Sequence, residues 1–175
     1  VKVARQAEWH TVSETTQRTE ALGAALGELL APGDVICLAG KLGAGKTVFS
    51  RGIGAGWGAT TPLTSPTYNL VHEHIRRADR ARLFHLDFYR VSGAREAETL
   101  GIYEILEGGD IVIFEWPERV LDILPDQRLW IDFLMREDDE RDLRFGAWGE
   151  RHAALLNDLR QSLGLKQRGA HAAGD

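Results

Sequence analysis

Hydrophobic and polar positions along the chain alternate between two periods, and the switches between them mark out the elements. Residues 8–12 alternate as a short strand does. From Ser13 onward Leu22, Ala25, Leu26, Leu29 and Leu30 recur at helical spacing. They predict a helix capped by Ser13 or Thr15 and closed by the turn Ala31-Pro32-Gly33-Asp34. The apolar run 35–39 reads as a buried strand. Residues 48–53 continue as a helix, a pattern that Gly54, Gly56 and Gly58 are expected to break. Two strands are predicted over 69–75 and 83–89, joined as a hairpin by the polar, Arg-rich link 76–82. In the second of them Phe84, Leu86 and Phe88 share one face, and His85, Asp87 and Tyr89 the other. Short helices over 94–100 and 102–106 precede a strand, 111–114, that ends at Glu115-Trp116-Pro117. Strands near 128–134 and 143–148, joined by the charged turn 136–142, lead to an amphipathic helix near 150–163. Residues 164–175 are Gly/Ala-rich without periodicity and are expected to be a disordered tail.

The order of elements describes an α/β fold, a single domain over residues 1–163 with a mixed β-sheet flanked by helices. The 175 residues suit one domain with a sizeable core. A net charge of −5 makes the surface as a whole no attractor of nucleic acid or anionic membrane, so any contact with RNA would be local or made through a partner. The single cysteine, Cys37, excludes an internal disulfide and lies in the apolar strand 35–39, where a small buried hydrophobe is the ordinary reading. The first eight residues hold no hydrophobic signal core, and no apolar run approaches membrane-spanning length. The expected location is the cytoplasm, with no membrane partner.

The chemistry concentrates in Gly40-Lys41-Leu42-Gly43-Ala44-Gly45-Lys46-Thr47. It matches G-x-x-x-x-G-K-[ST] at every fixed position and lies between a predicted strand and a predicted helix, the context that makes the motif a phosphate-binding loop. The domain is therefore expected to be P-loop NTPase-like. Backbone N–H groups of Leu42, Gly43, Ala44 and Gly45 would turn toward the phosphates, aided by the helix dipole. Lys46 would reach the β- and γ-phosphates and Thr47 would offer its hydroxyl to Mg²⁺.

Such a site needs a metal-holding carboxylate at the end of a neighbouring strand, and Glu115 fits. Asp87 is a second candidate acid, although its alternating strand reads equally well as one that leaves Asp87 exposed and idle. His85 reads as a packed or solvated imidazole, and no His/Cys cluster has zinc spacing. The hydroxyl-rich stretch 64–68 stands where nucleotide-dependent proteins keep a segment ordered by the γ-phosphate, and it reads equally as an ordinary loop. The Arg-rich link 76–82 is a solvated tip, a local docking patch, or the one candidate for a short kinase lid; Arg90 is a candidate arginine finger. No N-K-x-D guanine-reading motif occurs, which favours ATP over GTP.

Taken together, the phosphate loop with Phe49-Ser50-Arg51-Gly52, then Ser65-Pro66-Thr67-Tyr68-Asn69-Leu70-Val71, Phe84-His85-Leu86-Asp87-Phe88-Tyr89-Arg90, Gly101-Ile102 and Phe114-Glu115-Trp116-Pro117-Glu118-Arg119 resemble the TsaE (YjeE) family over roughly residues 8–160. That resemblance implies a Mg²⁺-dependent ATPase required for the N6-threonylcarbamoyladenosine (t6A) modification of tRNA position 37. It would act with the TsaB and TsaD proteins, meet tRNA indirectly through their complex, and show weak basal turnover raised by those partners. It implies Lys46, Asp87 and Glu115 as catalytic groups, Thr47 and Glu115 as metal-side ligands, and Thr16 and Arg141 as further nucleotide contacts beside the loop. The segment 65–68 becomes a nucleotide sensor. Lys41 departs from the family's pattern, which has an acid or amide there, and His74 stands where an aromatic is common. A small-metabolite or nucleoside kinase, and a nucleotide-gated binding module with little hydrolysis, are the alternative readings of the same loop.

Overall fold

The computed structural model describes residues 4–65, 70–137 and 140–172, with the side chains of 165–172 left aside. Its centre is a seven-stranded sheet in the order β1-β7-β6-β2-β5-β4-β3. The strands are β1 (Arg5–Ser13), β2 (Val35–Gly40), β3 (Val71–Ile75), β4 (Arg82–Asp87), β5 (Ile111–Glu115), β6 (Arg128–Met135) and β7 (Arg141–Trp148). The inner block β6-β2-β5-β4 is parallel, and β1, β7 and β3 join antiparallel at the two sides. Parallel strands are covered on both faces, and β2 and β5 accordingly read as unbroken apolar runs.

Alternate residues of each strand feed two cores. Ile36, Leu38, Ile113, Ile131 and Phe133 pack under α1 (Thr16–Gly27), α2 (Lys46–Trp57) and α5 (Glu150–Ala172). Val35, Cys37, Phe84, Leu86, Val112 and Phe114 pack under α3 (Ala94–Glu98), α4 (Ile102–Glu107) and the 3₁₀ turns Pro117–Arg119 and Leu121–Ile123. Burial pushes the Cys37 thiol up to about 12, which leaves it an inert core residue.

Three differences from the sequence pattern have physical causes. Gly54 and Gly56 do not break α2, which ends at Gly58 in the left-handed conformation. They serve close approach instead. A Cβ on Gly56 would stand 1.9 Å from the Ala24 carbonyl oxygen, and one on Gly52 2.1 Å from that of Glu20, so α1 and α2 touch through their backbones. Second, β4 is not half-exposed: every residue from Leu83 to Asp87 is buried, because helices cover both of its faces. Third, α5 runs to Ala172, past the end near 163 that its apolar spacing predicts.

No helix among the described residues is long and apolar enough to cross a membrane.

Candidate nucleotide site

In a parallel sheet the loops that follow the strands gather at the carboxyl ends, and here a cleft of about 230 Å³ opens there. Its lining includes residues 42–48 from the loop and the start of α2, with Ser65, Asp87, Tyr89, Glu115 and Trp116 opposite. The loop needs its glycines: Gly43 and Gly45 have φ of 80° and 103°, values that other residues rarely adopt. Lys46, nearly buried, donates from Nζ to the Gly40 and Lys41 carbonyl oxygens at 2.5 and 3.0 Å. The same ammonium lies 3.9 Å from the centre of the Trp116 ring. Burial lowers its pKa, and the Glu115, Glu118 and Asp87 carboxylates pull it part of the way back.

Asp87 and Glu115 are register partners at the ends of β4 and β5 and are both buried. Glu115 lies over the first turns of α2. Oε2 accepts from the Thr47 hydroxyl at 3.3 Å, and Oε1 accepts from Ser50 at 2.9 Å and from His85 Nε2 at 3.0 Å. Burial raises the Glu115 pKa, but the His85 ring, the Ser50 hydroxyl and the Lys46 charge outweigh it, leaving the carboxyl below its usual value. Asp87 is held differently: Oδ2 accepts from the Ser65 hydroxyl at 2.7 Å and Oδ1 from the Tyr89 N–H at 2.9 Å.

Trp116 belongs to the Glu115-Trp116-Pro117 set that carries the family resemblance, but the sequence gives it no role. It holds a left-handed backbone, φ 59°, that costs a bulky residue about 1–2 kcal/mol. In return its ring lies on Lys46 and 4.9 Å from Tyr89. Ser50 was readable in principle, being one turn along the helix face from Lys46 and Thr47. His85 was set aside as packed or solvated; it is fully buried and bonded to Glu115.

The remaining candidates divide. Arg141, at the start of β7, lies beside the loop: its Nε is 3.6 Å from where a Cβ on Gly45 would stand. The Thr19 methyl group stands 3.7 Å from the same point, and Thr16 is exposed one turn earlier at the start of α1. Neither Thr16 nor Arg141 lines the cleft itself. The link 76–82 cannot be a lid, because it joins the end of β3 to the start of β4 and so lies at the opposite end of the sheet from Asp87. There Arg76 pairs with Asp79, and Arg82 with Asp110. Of the stretch 64–68, Thr64 and Ser65 are described; residues 66–68 lie outside the described residues. Arg90 is exposed and not part of the cleft wall.

The donor set fits a hard cation. The Thr47 hydroxyl and Glu115 Oε2 are oxygens facing the same space. No group of three His, Cys, Asp or Glu side chains among the described residues makes a metal cage. Mg²⁺ needs no such cage, since it takes one or two protein oxygens and fills its octahedron with phosphates and water.

Known proteins resemble this chain over most of its length. The family model for "Threonylcarbamoyl adenosine biosynthesis protein TsaE" matches residues 13–143. The tRNA threonylcarbamoyladenosine biosynthesis protein TsaE of Bacillus subtilis is 36% identical over 155 residues, covering 89% of this chain and 94% of its own length. Its namesake from Treponema pallidum is 34% identical over 132 residues, 75% of this chain and 96% of that protein. The crystal structure of Bacillus subtilis YdiB superposes with a TM-score of 0.76 at 29% identity, over 89% of this chain and 96% of that one. The family model spans most of the chain, and the chain belongs to the TsaE family.

Proposed function

We propose that this protein is a Mg²⁺-dependent ATP hydrolase that serves t6A modification of tRNA together with the TsaB–TsaD complex. The observation that carries the reading is the Thr47–Glu115 pair. A buried carboxylate hydrogen-bonded to the hydroxyl that follows the loop lysine is the arrangement a phosphate-bound cation requires. The relatives' shared name supplies the pathway.

Phosphates entering the cleft meet the N–H groups of 42–47 and the N-terminus of α2, which complement their charge through the main chain. Lys46 then exchanges its two carbonyl partners for phosphate oxygens, starting from a position on the Trp116 ring, which in turn packs beside Tyr89. Thr47 and Glu115 would hold Mg²⁺, which would supply positive charge to offset that of the phosphate oxygens. Asp87 accepts a hydrogen bond from the attacking water and aligns it. Its tie to Ser65 links that water to the segment that follows. No arginine from this chain enters the cleft wall among the described residues. An absent arginine can cost about 10³–10⁵ in rate. Slow turnover alone and faster turnover with partners follow from this.

Complementation tests the reading. Bacillus subtilis depleted of its own TsaE is supplied with this chain or with its Lys46→Ala form, and t6A in bulk tRNA is measured by mass spectrometry. Restoration by the parent chain alone is expected. Failure of the parent to restore t6A when expressed, or equal restoration by Lys46→Ala, would overturn it.

A further inference from the structure

We infer that His85 is the positioning residue of the cation site, fixing Glu115 with one oxygen turned inward and one outward. The inference rests on the Mg²⁺–ATP reading above and assigns a role to a residue that reading does not use.

The His85 side chain has no exposed surface, and Nε2 lies 3.0 Å from Glu115 Oε1. A carboxylate oxygen only accepts, so Nε2 carries the proton. Ser50 donates to the same oxygen from the other side, at 2.9 Å. Oε1 therefore has two donors, both from regular elements, one on β4 and one on α2. Oε2 is left with the Thr47 hydroxyl at the longer distance of 3.3 Å, on the cleft side. With both inner donors in place the carboxylate cannot rotate without breaking them. The cleft-facing oxygen is pre-aimed at the position where a cation shares Thr47.

Register makes this possible. His85 and Asp87 are two apart on β4, and Asp87 pairs with Glu115 across to β5, so the imidazole sits diagonally inward of the acid. The other ring nitrogen, Nδ1, is buried without a partner among the described residues. A core filler would not leave a polar atom so, since an orphaned buried polar group costs about 1–3 kcal/mol. The imidazole is retained for the nitrogen that is bonded.

The test uses the full-length protein, ATP and Mg²⁺. Dissociation constants for ATP are measured by titration calorimetry in EDTA and in Mg²⁺ for the parent, His85→Gln, His85→Asn and His85→Leu, beside their thermal midpoints. Gln places an amide nitrogen where Nε2 was, Asn is too short to reach, and Leu keeps bulk without a donor. Partners of this kind are worth about 10–100-fold in metal affinity. The Mg²⁺-dependent gain in ATP affinity should therefore fall about tenfold or more in His85→Asn and His85→Leu and survive in His85→Gln. Affinity in EDTA should stay within about twofold throughout. A full Mg²⁺ gain in His85→Asn or His85→Leu would overturn the inference. So would a loss in His85→Gln equal to that in His85→Asn, or affinities in EDTA that fall as far as those in Mg²⁺. If His85→Leu does not fold, the Gln–Asn comparison decides alone. Absence of any Mg²⁺ gain in the parent would strike the proposed function, a result distinct from a failure of the variants.

Discussion

The two walls of the cleft are built on opposite principles. Under the proposed function the loop wall would bind phosphate mostly with main-chain N–H groups, and so should tolerate changes of side chain and not changes of shape. Leu42 is 69% exposed there, while behind it Gly52 and Gly56 hold α2 against α1 with no room for a methyl group. The strand wall works through side-chain atoms, the carboxylates of Asp87 and Glu115 with their donors, and single atoms decide it. Even within that wall the acids differ. Glu115 is tied to α2 and β4, whereas Asp87 is tied to Ser65 and the Tyr89 backbone, outside any strand or helix. Under the proposed function the cation's carboxylate would thus be fixed by regular elements, and the water-aligning acid by residues outside them.

The contrast breaks first on shape. Gly56→Val forces a side chain into the Ala24 carbonyl, and backbone cannot yield as a side-chain tip does. A loss above about 4 kcal/mol is expected, a large part of the stability of a typical domain. Urea unfolding followed by circular dichroism would read this, and a loss under about 1 kcal/mol would show that α1 and α2 can part.

On the strand wall the corresponding change is a single atom. Glu115→Gln keeps the shape and should lower ATP turnover by about 10²–10³-fold while the protein stays folded. Rates from a coupled phosphate-release assay, beside thermal melts, check both halves. An unchanged rate would remove Glu115 from the site.

Acid titration of stability separates the histidines packed elsewhere in the fold from the Glu115 carboxylate of the strand wall. Burial lowers the pKa of His74 to about 4 from 6.5, and holds His72 and His152 lower as well. Between those values the unfolded chain takes up protons that the folded chain refuses, so stability falls as pH drops from 6.5 toward 4. Glu115, held below its usual 4.5, adds stability above that value and loses it as pH falls further. Melting midpoints from pH 8 to 3 should show both limbs. His74→Leu should flatten the upper limb and Glu115→Gln the lower.

The smallest effect belongs to the loop's side chains. Lys41 is exposed, and only its backbone carbonyl meets Lys46. Lys41→Asp, which restores an acid, should alter ATP affinity by no more than about threefold, less at high salt. A tenfold change would mean that this wall too depends on side-chain charge.

How much of this was legible follows the same division. The loop and the helix it opens are written in glycines and one Lys-Thr pair, where local geometry leaves few alternatives, and both stand where the pattern put them. Fold class was equally open, because strands, crossovers and caps carry local signals. Of the strand wall, only Glu115 at the end of its apolar strand was. Leu83-Phe84-His85-Leu86-Asp87 alternates like a half-exposed strand. Only the sheet order reveals that helices cover both faces and that His85 and Asp87 are buried polar groups with partners. Gly54 and Gly56 looked like helix breakers because the contacts that demand them, the Leu63 side chain for Gly54 and the Ala24 backbone of α1 for Gly56, come from outside the helix. The 76–82 link looked like a lid because sequence proximity to β4 does not say which end of the strand faces the ligand.

The most direct test of the central claim is the steady-state rate of ATP hydrolysis by the purified protein in Mg²⁺, alone and with the TsaB–TsaD complex, beside Lys46→Ala. Slow turnover alone, a rise on adding the complex, and loss of both with Lys46→Ala are expected. Hydrolysis that ignores the complex and persists in Lys46→Ala, or ATP consumption that appears only with a small acceptor which becomes phosphorylated, would contradict it.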